Sequence, residues 1–347
     1  MGNNEALEID HTDLVIGLQD AIDRLRAPSP QMANAMDAFL PITDTPVEYE
    51  KSKREVQARL TEIIHDEKYT NFVAELTAED SPESRERLAA LLSAGKSGGA
   101  WLEASPALPY YRLSDEELAL ALAMRLGVPL IKPCACTQCG QQMDIYGRHA
   151  FVNHTCMNGK ATNRHKKVNV ALAHTFRDAG ITVAVETLYE SHYERMPESS
   201  QPTVDHRIDI HAEGSGDGGL DPVSGAPQLV IDTSVTHAGT HPLAHKIPLA
   251  AAKARVAEKL KFIMKHYKIS KDAIIIFVLE THGALGDEAM KLLHRIAEKK
   301  GGGKNEVSAQ FLRFSLARIG VALQRGNAVI LRHWRSACVP TGNRIVM

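Results

Sequence analysis

The sequence lacks the features of several protein classes. No apolar run approaches the roughly 20 residues that a membrane-spanning helix needs, and residues 1–10 have neither the basic start nor the apolar stretch of a secretory signal. A basic excess is also missing, since the net charge is −2 and the pI is about 6.8. This balance disfavours a protein coated with nucleic acid, but it leaves room for one local basic groove. No Walker-type phosphate loop and no Y/F-x-D-D polymerase motif occur.

Cysteine is scarce and unevenly placed. Four of the five cysteines fall between positions 134 and 156, and the fifth is Cys338. A disulfide framework would scatter them along the chain. Without a signal peptide, a tight Cys/His cluster indicates reduced thiolates around a metal ion in a reducing, intracellular compartment.

The spacing inside this cluster predicts its ligands. Cys136 and Cys139 are two residues apart, as in a tight turn that brings two sulfur atoms to one ion. His149 and Cys156 complete a Cys3His set, which is typical of structural Zn2+. His154 is an alternative to His149. Because four protein ligands leave no open position on the ion, we expect this zinc to stabilise the fold of the segment and not to take part in a reaction.

Two further features of the cluster bear on this prediction. Cys134 is an alternative to either Cys136 or Cys139 as a ligand. Gly140 and Gly147 supply the backbone freedom that a short knuckle requires. We therefore predict a small zinc knuckle over residues 133–160.

The remaining patterns predict an α/β protein. Around the knuckle we expect a helical N-terminal region (1–98), a helical linker (99–132), an α/β core (161–334) and a tail (335–347). Helical spacing predicts helices over 12–26, 51–77, 164–178, 248–267 and 285–299, with a mostly helical or mixed stretch at 307–334. Period-two or apolar patterns predict strands over 181–189, 203–212, 228–237 and 272–280. The core is then a mixed sheet flanked by helices, in the order α-β-β-β-α-β.

Local signals refine the boundaries. Ser114 and Glu117 form a capping box that begins a helix, and Gly127 ends it. Pro248 suits the first turn of the helix at 248–267. The stretch SAGKSGGA at 93–100 has the composition of a linker or loop.

Two aspartates on predicted strands are the candidate catalytic residues. Asp209 follows an isoleucine in HRIDI, and Asp232 follows one in LVIDTS. Neighbouring strands bring such residues to one end of a sheet, where paired carboxylates bind Mg2+ and neutralise charge on a phosphate. Glu186, on the preceding strand, is a third candidate.

A cation near the attacked phosphate is also expected, because charge develops there in the transition state. On the helix that follows Asp232, helical geometry places Lys253 and Lys259 on either flank of the buried face. We favour Lys259, with Lys253 as the alternative.

A basic run opens the helix that follows the knuckle. It consists of Arg164, His165, Lys166 and Lys167. These residues suit contact with a phosphate backbone. A solvated helix terminus explains the same residues equally well.

The order of these motifs resembles the carboxyl-terminal part of non-LTR retrotransposon proteins. There, a zinc knuckle precedes a restriction-endonuclease-like domain of the PD-(D/E)xK class. The resemblance covers residues 99–332 and includes Ser234, which stands where the strand lysine of that class would lie. The matching residues are Cys136, Cys139, Gly140, Asp144, Gly147, His149, Cys156, Arg164, His165, Glu186, Asp209 and Asp232.

This resemblance implies a Mg2+-dependent endonuclease that nicks duplex DNA in the nucleus. A separate reverse transcriptase or RNA is implied as a further partner, and no membrane is. The resemblance also implies that the lysine is displaced from the strand onto the next helix. The alternative is a catalytically inactive, domesticated zinc-containing protein that binds nucleic acid, and a protein-interaction scaffold with structural zinc is the third hypothesis.

Overall fold

The computed structural model falls into two compact units, Met1–Glu79 and Asp80–Met347. The division lies after Glu79, whereas the sequence suggests a helical N-terminal region that extends to residue 98. The helix predicted at 12–26 lies outside the described residues. The structure describes residues 46–95, 97–130, 134–152, 154–157, 159–188, 193–194, 196, 207–213, 228–336 and 338–340.

In the first unit the structure describes one helix, α1 (Pro46–Glu79). It contains the helix predicted at 51–77 and is 34 residues long. No helix in the described ranges combines the length and apolar character that a bilayer crossing requires.

The second unit has a mixed α/β architecture. Its helices are α2 (Pro82–Ser93), α3 (Asp115–Leu126), α4 (Arg148–Val152), α5 (His154–Met157), α6 (Lys160–Asp178), α7 (Ala250–His266), α8 (Asp287–Gly301) and α9 (Glu306–Ser336). Its strands are β1 (Cys134–Cys136), β2 (Gln142–Met143), β3 (Thr182–Leu188), β4 (Arg207–Glu213), β5 (Gln228–Thr236), β6 (Ile274–Glu280) and β7 (Cys338–Pro340). The order from α6 to β6 is α-β-β-β-α-β, as the sequence pattern predicts.

These strands form two sheets. The main sheet has the order β3-β4-β5-β6, in which β5 and β6 run parallel and the other neighbours antiparallel. In a second, small sheet, β1 lies between β2 and β7 and is antiparallel to both, so residues 338–340 pair with the segment that contains the other four cysteines. Strand β6 is buried along its whole length, and β5 along most of it, because helices cover both faces.

The main sheet lies between two helical layers. Helices α6, α8 and α9 pack on one face, where Phe176, Leu293 and Leu323 meet Phe277 in one buried cluster. Helix α7 covers the other face through Ile263 and Tyr267, which contact Ile208, Val230 and Ile276. The candidate catalytic aspartates lie on the two inner strands of this sheet, Asp209 on β4 and Asp232 on β5.

Helix α9 joins the sheet to the cysteine segment. Its first half contributes Ile319 and Leu323 to the core of the main sheet. Its second half contributes Leu331 and Trp334 to a separate buried cluster that also contains Cys136, Phe151 and Cys156. The predicted mixed stretch at 307–334 is therefore one continuous helix of 31 residues.

The start of α7 differs from the prediction. The helix begins at Ala250, and Leu249 before it has a left-handed backbone with φ of +61°. Such a residue cannot continue a helix from Pro248, so the proline lies outside the first turn. The capping box of Ser114 and Glu117 and the left-handed Gly127 both occur as predicted.

The glycine-rich stretch at 93–100 is packed inside the second unit. A Cβ atom on Gly98 would lie 2.7 Å from the Ser93 carbonyl oxygen and 2.9 Å from that of His282. A Cβ atom on Gly283 would likewise lie 2.9 Å from the Cα atom and from the carbonyl oxygen of Gly98. The stretch predicted as a linker or loop therefore contains a tight backbone contact, for which glycine leaves room.

Candidate functional site

Cys136, Cys139, His149 and Cys156 converge at one point of the knuckle. Their candidate ligand atoms all lie within 4.8 Å of one another. The Cys136 and Cys156 sulfurs are 3.6 Å apart, and the Cys139 sulfur is 3.5 Å from His149 Nε2. A tetrahedral site with metal–sulfur bonds of about 2.3 Å and metal–nitrogen bonds of about 2.0 Å has edges of about 3.5–3.8 Å. The group could therefore hold a metal ion such as zinc.

The charge state of the sulfurs also favours a cation. Burial opposes ionisation of Cys136, but backbone N–H groups of Cys139 and Gln138 outweigh it and lower the pKa of its thiol. Burial and the neighbouring sulfurs raise the pKa of Cys156. Because three thiolates so close together repel one another, a metal ion is what would let all of them ionise.

The backbone around these ligands is held by Asp144. Its carboxylate accepts hydrogen bonds from the backbone N–H groups of Tyr146 (3.0 Å), Arg148 (2.9 Å) and His149 (2.7 Å). The carboxylate thus caps the short helix α4 that presents His149. Gly140 and Gly147 have positive φ angles of 72° and 87°, the conformation for which the sequence places glycine there.

The alternatives for the ligand set are narrowed by the structure. Cys134 is disulfide-bonded and is not part of the converging group, so the expectation that it is a reduced, alternative ligand is wrong. Cys136, Cys139 and Cys156 are free, as expected. The side chain of His154 lies outside the described residues. Among the described side chains, this is the one set of three or more potential ligands that converges.

Asp209 and Asp232 face each other across two antiparallel strands. Strands β4 and β5 pair through Ile210 and Ile231, so Asp209 and Asp232 follow in the same register. Both residues are buried, with 8% and 6% of their surface exposed. The Thr233 N–H, next to Asp232 in the chain, donates a 2.6 Å hydrogen bond to Asp209, so the two carboxylates lie close together. The two strand aspartates identified in the sequence are therefore brought together.

Asp209 is bound by a histidine and a backbone amide. Its Oδ2 lies 3.1 Å from His165 Nε2 and accepts a 2.6 Å hydrogen bond from the Thr233 N–H. The Thr233 carbonyl oxygen is also 3.1 Å from His165 Nε2. Because both partners are acceptors, Nε2 must hold the proton, which leaves Nδ1 to face the Asn169 amide at 3.5 Å.

Asp232 is bound by Lys259. The ammonium donates to both carboxylate oxygens, at 2.8 and 3.0 Å. Lys253, the alternative candidate, lies 3.6 Å from Asp287 and is 58% exposed at its side chain. Ser234, two residues after Asp232, accepts a 3.0 Å hydrogen bond from Arg255.

The two carboxyl groups have opposite pKa shifts. Burial raises the pKa of Asp232 to about 6, opposed by Lys259 and reinforced by the charge of Asp209. Burial acts in the same direction on Asp209, but His165 and the Thr233 N–H outweigh it, so its pKa is lowered. Burial opposes charge on His165 as well, yet the bond to Asp209 outweighs it and raises the histidine pKa. Asp209 is therefore the more acidic member of the pair, and Asp232 ionises near pH 6.

Glu186 lies beside this pair without joining it. Strands β3 and β4 pair through Val185–Ile210 and Thr187–Ile208, which leaves Glu186 opposite Asp209. Glu186 has a positive φ of 56°, a strained conformation for a residue with a side chain. Its carboxylate is 3.9 Å from Lys166 and 35% exposed. Glu186 is therefore a neighbour of the two aspartates and not a third member of the pair.

The basic run at 164–167 is divided among three environments. Arg164 is 4% exposed; its guanidinium donates to Asn327 and lies over the Phe151 ring, and burial lowers its pKa to about 10. Arg164 is therefore mostly buried, although it also lines the cleft beside the carboxylate pair. His165 belongs to the carboxylate pair, and only Lys166 and Lys167 remain available to a ligand outside that pair.

A second polar cluster was not evident from the sequence. Glu86 of α2 bonds to His237, at the end of β5, and lies 3.1 Å from Arg148 of α4. Burial opposes the charge of Glu86, but His237 and Arg148 outweigh it and lower its pKa. Glu86 is one of many acidic residues in a helical segment, so no local pattern distinguishes it. It joins the knuckle to the end of the sheet.

His165, which binds Asp209, and Lys259, which binds Asp232, line a cleft that the knuckle also lines. The cleft has a volume of about 490 Å³. His165, Ser234 and Lys259 lie on the sheet side, and Phe151 and Met157 lie on the knuckle side. A cationic wall thus faces an apolar wall across a space large enough for part of a nucleotide.

Comparison with known proteins adds no assignment, since neither a family model nor a curated protein sequence matches this chain.

Proposed function

We propose that this chain is a metal-dependent DNA endonuclease with a structural zinc knuckle and a restriction-endonuclease-like core. The observation that carries the proposal is the placing of two buried carboxylates side by side, with His165 bound to Asp209 and Lys259 bound to Asp232. The order α-β-β-β-α-β and the mixed sheet are consistent with the PD-(D/E)xK class that the sequence resembles.

The donor set fits Mg2+, which takes oxygen ligands and often binds through one or two carboxylates while keeping several waters. Asp209 and Asp232 would hold the ion. Burial raises the pKa of Asp232 even though Lys259 lies beside it, so the lysine alone does not fully compensate the negative charge of this carboxylate. When bound, the ion supplies charge neutralisation and a more acidic water for phosphodiester hydrolysis.

The side chains of this chain account for the remaining steps. Lys259 lies beside Asp232 and lines the cleft, so its ammonium can bind a phosphate oxygen as negative charge develops. His165 holds Asp209 in one orientation through Nε2, while the Thr233 N–H fixes the same oxygen. The burial of the pair excludes bulk water, which strengthens both interactions.

The Cys3His group would hold Zn2+ as a folding element. Its four protein ligands complete a tetrahedral set, which leaves no open position for chemistry. Cys136 and Cys156 are part of the buried cluster around Trp334, so loss of the ion would loosen the wall that Phe151 gives to the cleft. The family that the sequence resembles also suggests nuclear DNA as target, with a reverse transcriptase or RNA as partner.

Nicking of supercoiled plasmid, with and without Mg2+, tests the proposal. We expect Mg2+-dependent nicking that Asp209→Asn, Asp232→Asn and Lys259→Gln each reduce by about 100-fold or more. Lys253→Gln is the matched control, since it removes a lysine from the same helix that does not contact Asp232. Equal nicking by Lys259→Gln and Lys253→Gln would contradict the assigned role of Lys259.

The second candidate is a catalytically inactive protein that binds nucleic acid. It is favoured by one observation: both carboxylates already have a basic partner inside the protein, Asp209 in His165 and Asp232 in Lys259. In that case purified protein binds DNA in a salt-sensitive manner without nicking it, and Asp209→Asn and Asp232→Asn leave binding unchanged.

A further inference from the structure

A separate groove runs along helix α6, beside the carboxylate site. It has a volume of about 620 Å³ and lies between α6, α9 and the segment before α3. The basic residues that line it are Lys166, Lys167, His174, Arg318 and Arg325. None of these residues belongs to the carboxylate pair or to the Cys3His group.

The charge of the groove is positive. Its one acidic lining residue is Asp178, which pairs with Arg318 at 2.7 Å. Arg325 donates to the carbonyl oxygens of Pro109 and Arg112 and lies 4.0 Å from Glu117, so it helps to hold the wall. Lys166 lies 3.9 Å from Glu186, so Lys167 carries most of the charge that is left for a ligand, in a protein whose net charge is −2. Such a local excess favours a polyanion.

An aromatic side chain accompanies these cations. Tyr110 is 53% exposed, and the Arg318 guanidinium lies 5.8 Å from the centre of its ring. The next residue, Tyr111, is buried and hydrogen-bonded to the Phe314 carbonyl, which anchors this segment on α9. The Tyr110 ring is therefore held in place while much of it remains open. An exposed aromatic ring among cations is the arrangement on which unpaired bases stack.

The groove leads to the catalytic cluster. Lys166 lines the groove and lies 3.9 Å from Glu186, which is opposite Asp209 in the sheet. From Lys166 to Asp178 the helix rises about 18 Å, at about 1.5 Å per residue. That length matches about five phosphates of one stacked strand, which are spaced about 3.4 Å apart.

We propose that this groove binds a single strand of DNA or RNA, with bases stacked on Tyr110 and phosphates against Lys166 and Lys167. Duplex would fit the cations but would offer no unpaired base to the tyrosine. The inference rests on the proposed function in one respect: the strand held here would be continuous with, or paired beside, the strand at the carboxylate site. Binding itself does not require cleavage.

Fluorescence anisotropy with labelled oligonucleotides across a salt series tests this assignment. The full chain with Asp232→Asn is the background, so that cleavage does not interfere. The probes are oligothymidine and oligouridine of about 12 nucleotides and a duplex of the same length. The two single-stranded probes separate DNA from RNA as the source of the strand.

We expect Tyr110→Leu to weaken single-strand binding by about 5- to 100-fold and to leave the salt dependence unchanged. Tyr110→Phe should retain binding, because the ring is kept. Lys167→Gln should reduce the slope of log K against log salt by about 0.7, the value for one phosphate contact on a single strand. Lys300→Gln, which removes an exposed lysine from α8, is the matched control.

Two results would overturn the proposal. In the first, Tyr110→Leu and Lys167→Gln both bind the single strands as Lys300→Gln does. In the second, Lys167→Gln weakens duplex binding while Tyr110→Leu changes nothing, which would assign the groove to duplex. A protein that never nicks plasmid, yet loses strand binding in both variants, would refute the nuclease alone.

Discussion

Substitution of Asp144 gives a direct test of how the knuckle is built. The Asp144 carboxylate accepts three backbone hydrogen bonds of 2.7–3.0 Å, from Tyr146, Arg148 and His149, but does not itself belong to the converging ligands. Its role is therefore to fix the turn that presents His149. Because ligand binding and folding of a small metal site are coupled, the lost capping energy should appear as lost zinc affinity.

The magnitude follows from the contacts. A hydrogen bond to a carboxylate contributes about 1.5–3 kcal/mol when well shielded, and a single helix cap about 1 kcal/mol. Asp144 is only partly buried, so we take about 2–3 kcal/mol for all three bonds. Asp144→Ala should then weaken Zn2+ binding roughly 30- to 150-fold. Asp144→Asn keeps one acceptor oxygen and should lose only about 5- to 10-fold.

Competition for Zn2+ with a chromophoric chelator at constant pH measures these affinities. Ser114→Ala is a suitable control, because it removes the cap of α3, which lies outside the converging ligands. The affinity for Zn2+ should decrease from the unchanged protein to Asp144→Asn and decrease further in Asp144→Ala. If Asp144→Ala competes for Zn2+ as strongly as Ser114→Ala does, the capping argument is refuted.

Two further predictions concern the sheet and the glycine contact. Because burial raises the pKa of Asp232 to about 6, its carboxylate forms only above that pH, so nicking at limiting Mg2+ should rise with pH through about 6. A nicking rate that stays constant between about pH 5 and 7 would count against this assignment. Gly98→Ala should lower stability by about 1–3 kcal/mol in thermal unfolding, because its Cβ would meet two backbone carbonyls. Gly99→Ala is the control, since its Cβ would meet only the flexible side chain of Arg125 at 3.2 Å.

Short-range patterns in the sequence predict much of the fold. The capping box at Ser114, the left-handed glycines at 127, 140 and 147, and the order of strands and helices all depend on neighbouring residues. The mixed α/β class follows from these elements. The metal-ligand cluster can be predicted for the same reason, because the spacing within one short segment brings its members together. They are Cys136, Cys139, His149 and Cys156.

Contacts between segments that are distant in the sequence were harder to predict. Glu86 meets Arg148 and His237, which are 62 and 151 positions further along the chain, and no local pattern marks it. Gly98 was interpreted as part of a linker or loop because composition alone cannot show that Gly283 packs against it. The division between the two units lies after Glu79 for the same reason: α2 contributes contacts to the sheet end that its own sequence does not reveal.

The basic run shows why adjacency in the sequence is a poor guide to shared function. Successive residues of a helix differ by about 100° in direction, so four neighbours cannot all face one ligand. On α6, Arg164 points into the protein towards Asn327, His165 binds Asp209, and Lys166 and Lys167 line the groove. The four residues predicted to act together are thus a buried packing residue, a partner of a carboxylate and two lysines that line a groove.

Knuckle and sheet are joined through several independent contacts rather than through one linker. Arg164 of α6 lies over Phe151 of the knuckle, Glu86 pairs with Arg148, and α9 contributes Trp334 to the knuckle core while its first half packs on the sheet. Displacement of the knuckle would therefore break an ion pair, expose a buried arginine and uncover an apolar cluster together. Each of these changes is unfavourable by itself, and a buried cation left without its packing partner is among the more costly. The wall that Phe151 gives to the carboxylate cleft is thus fixed by the same contacts that hold the metal-binding segment on the sheet.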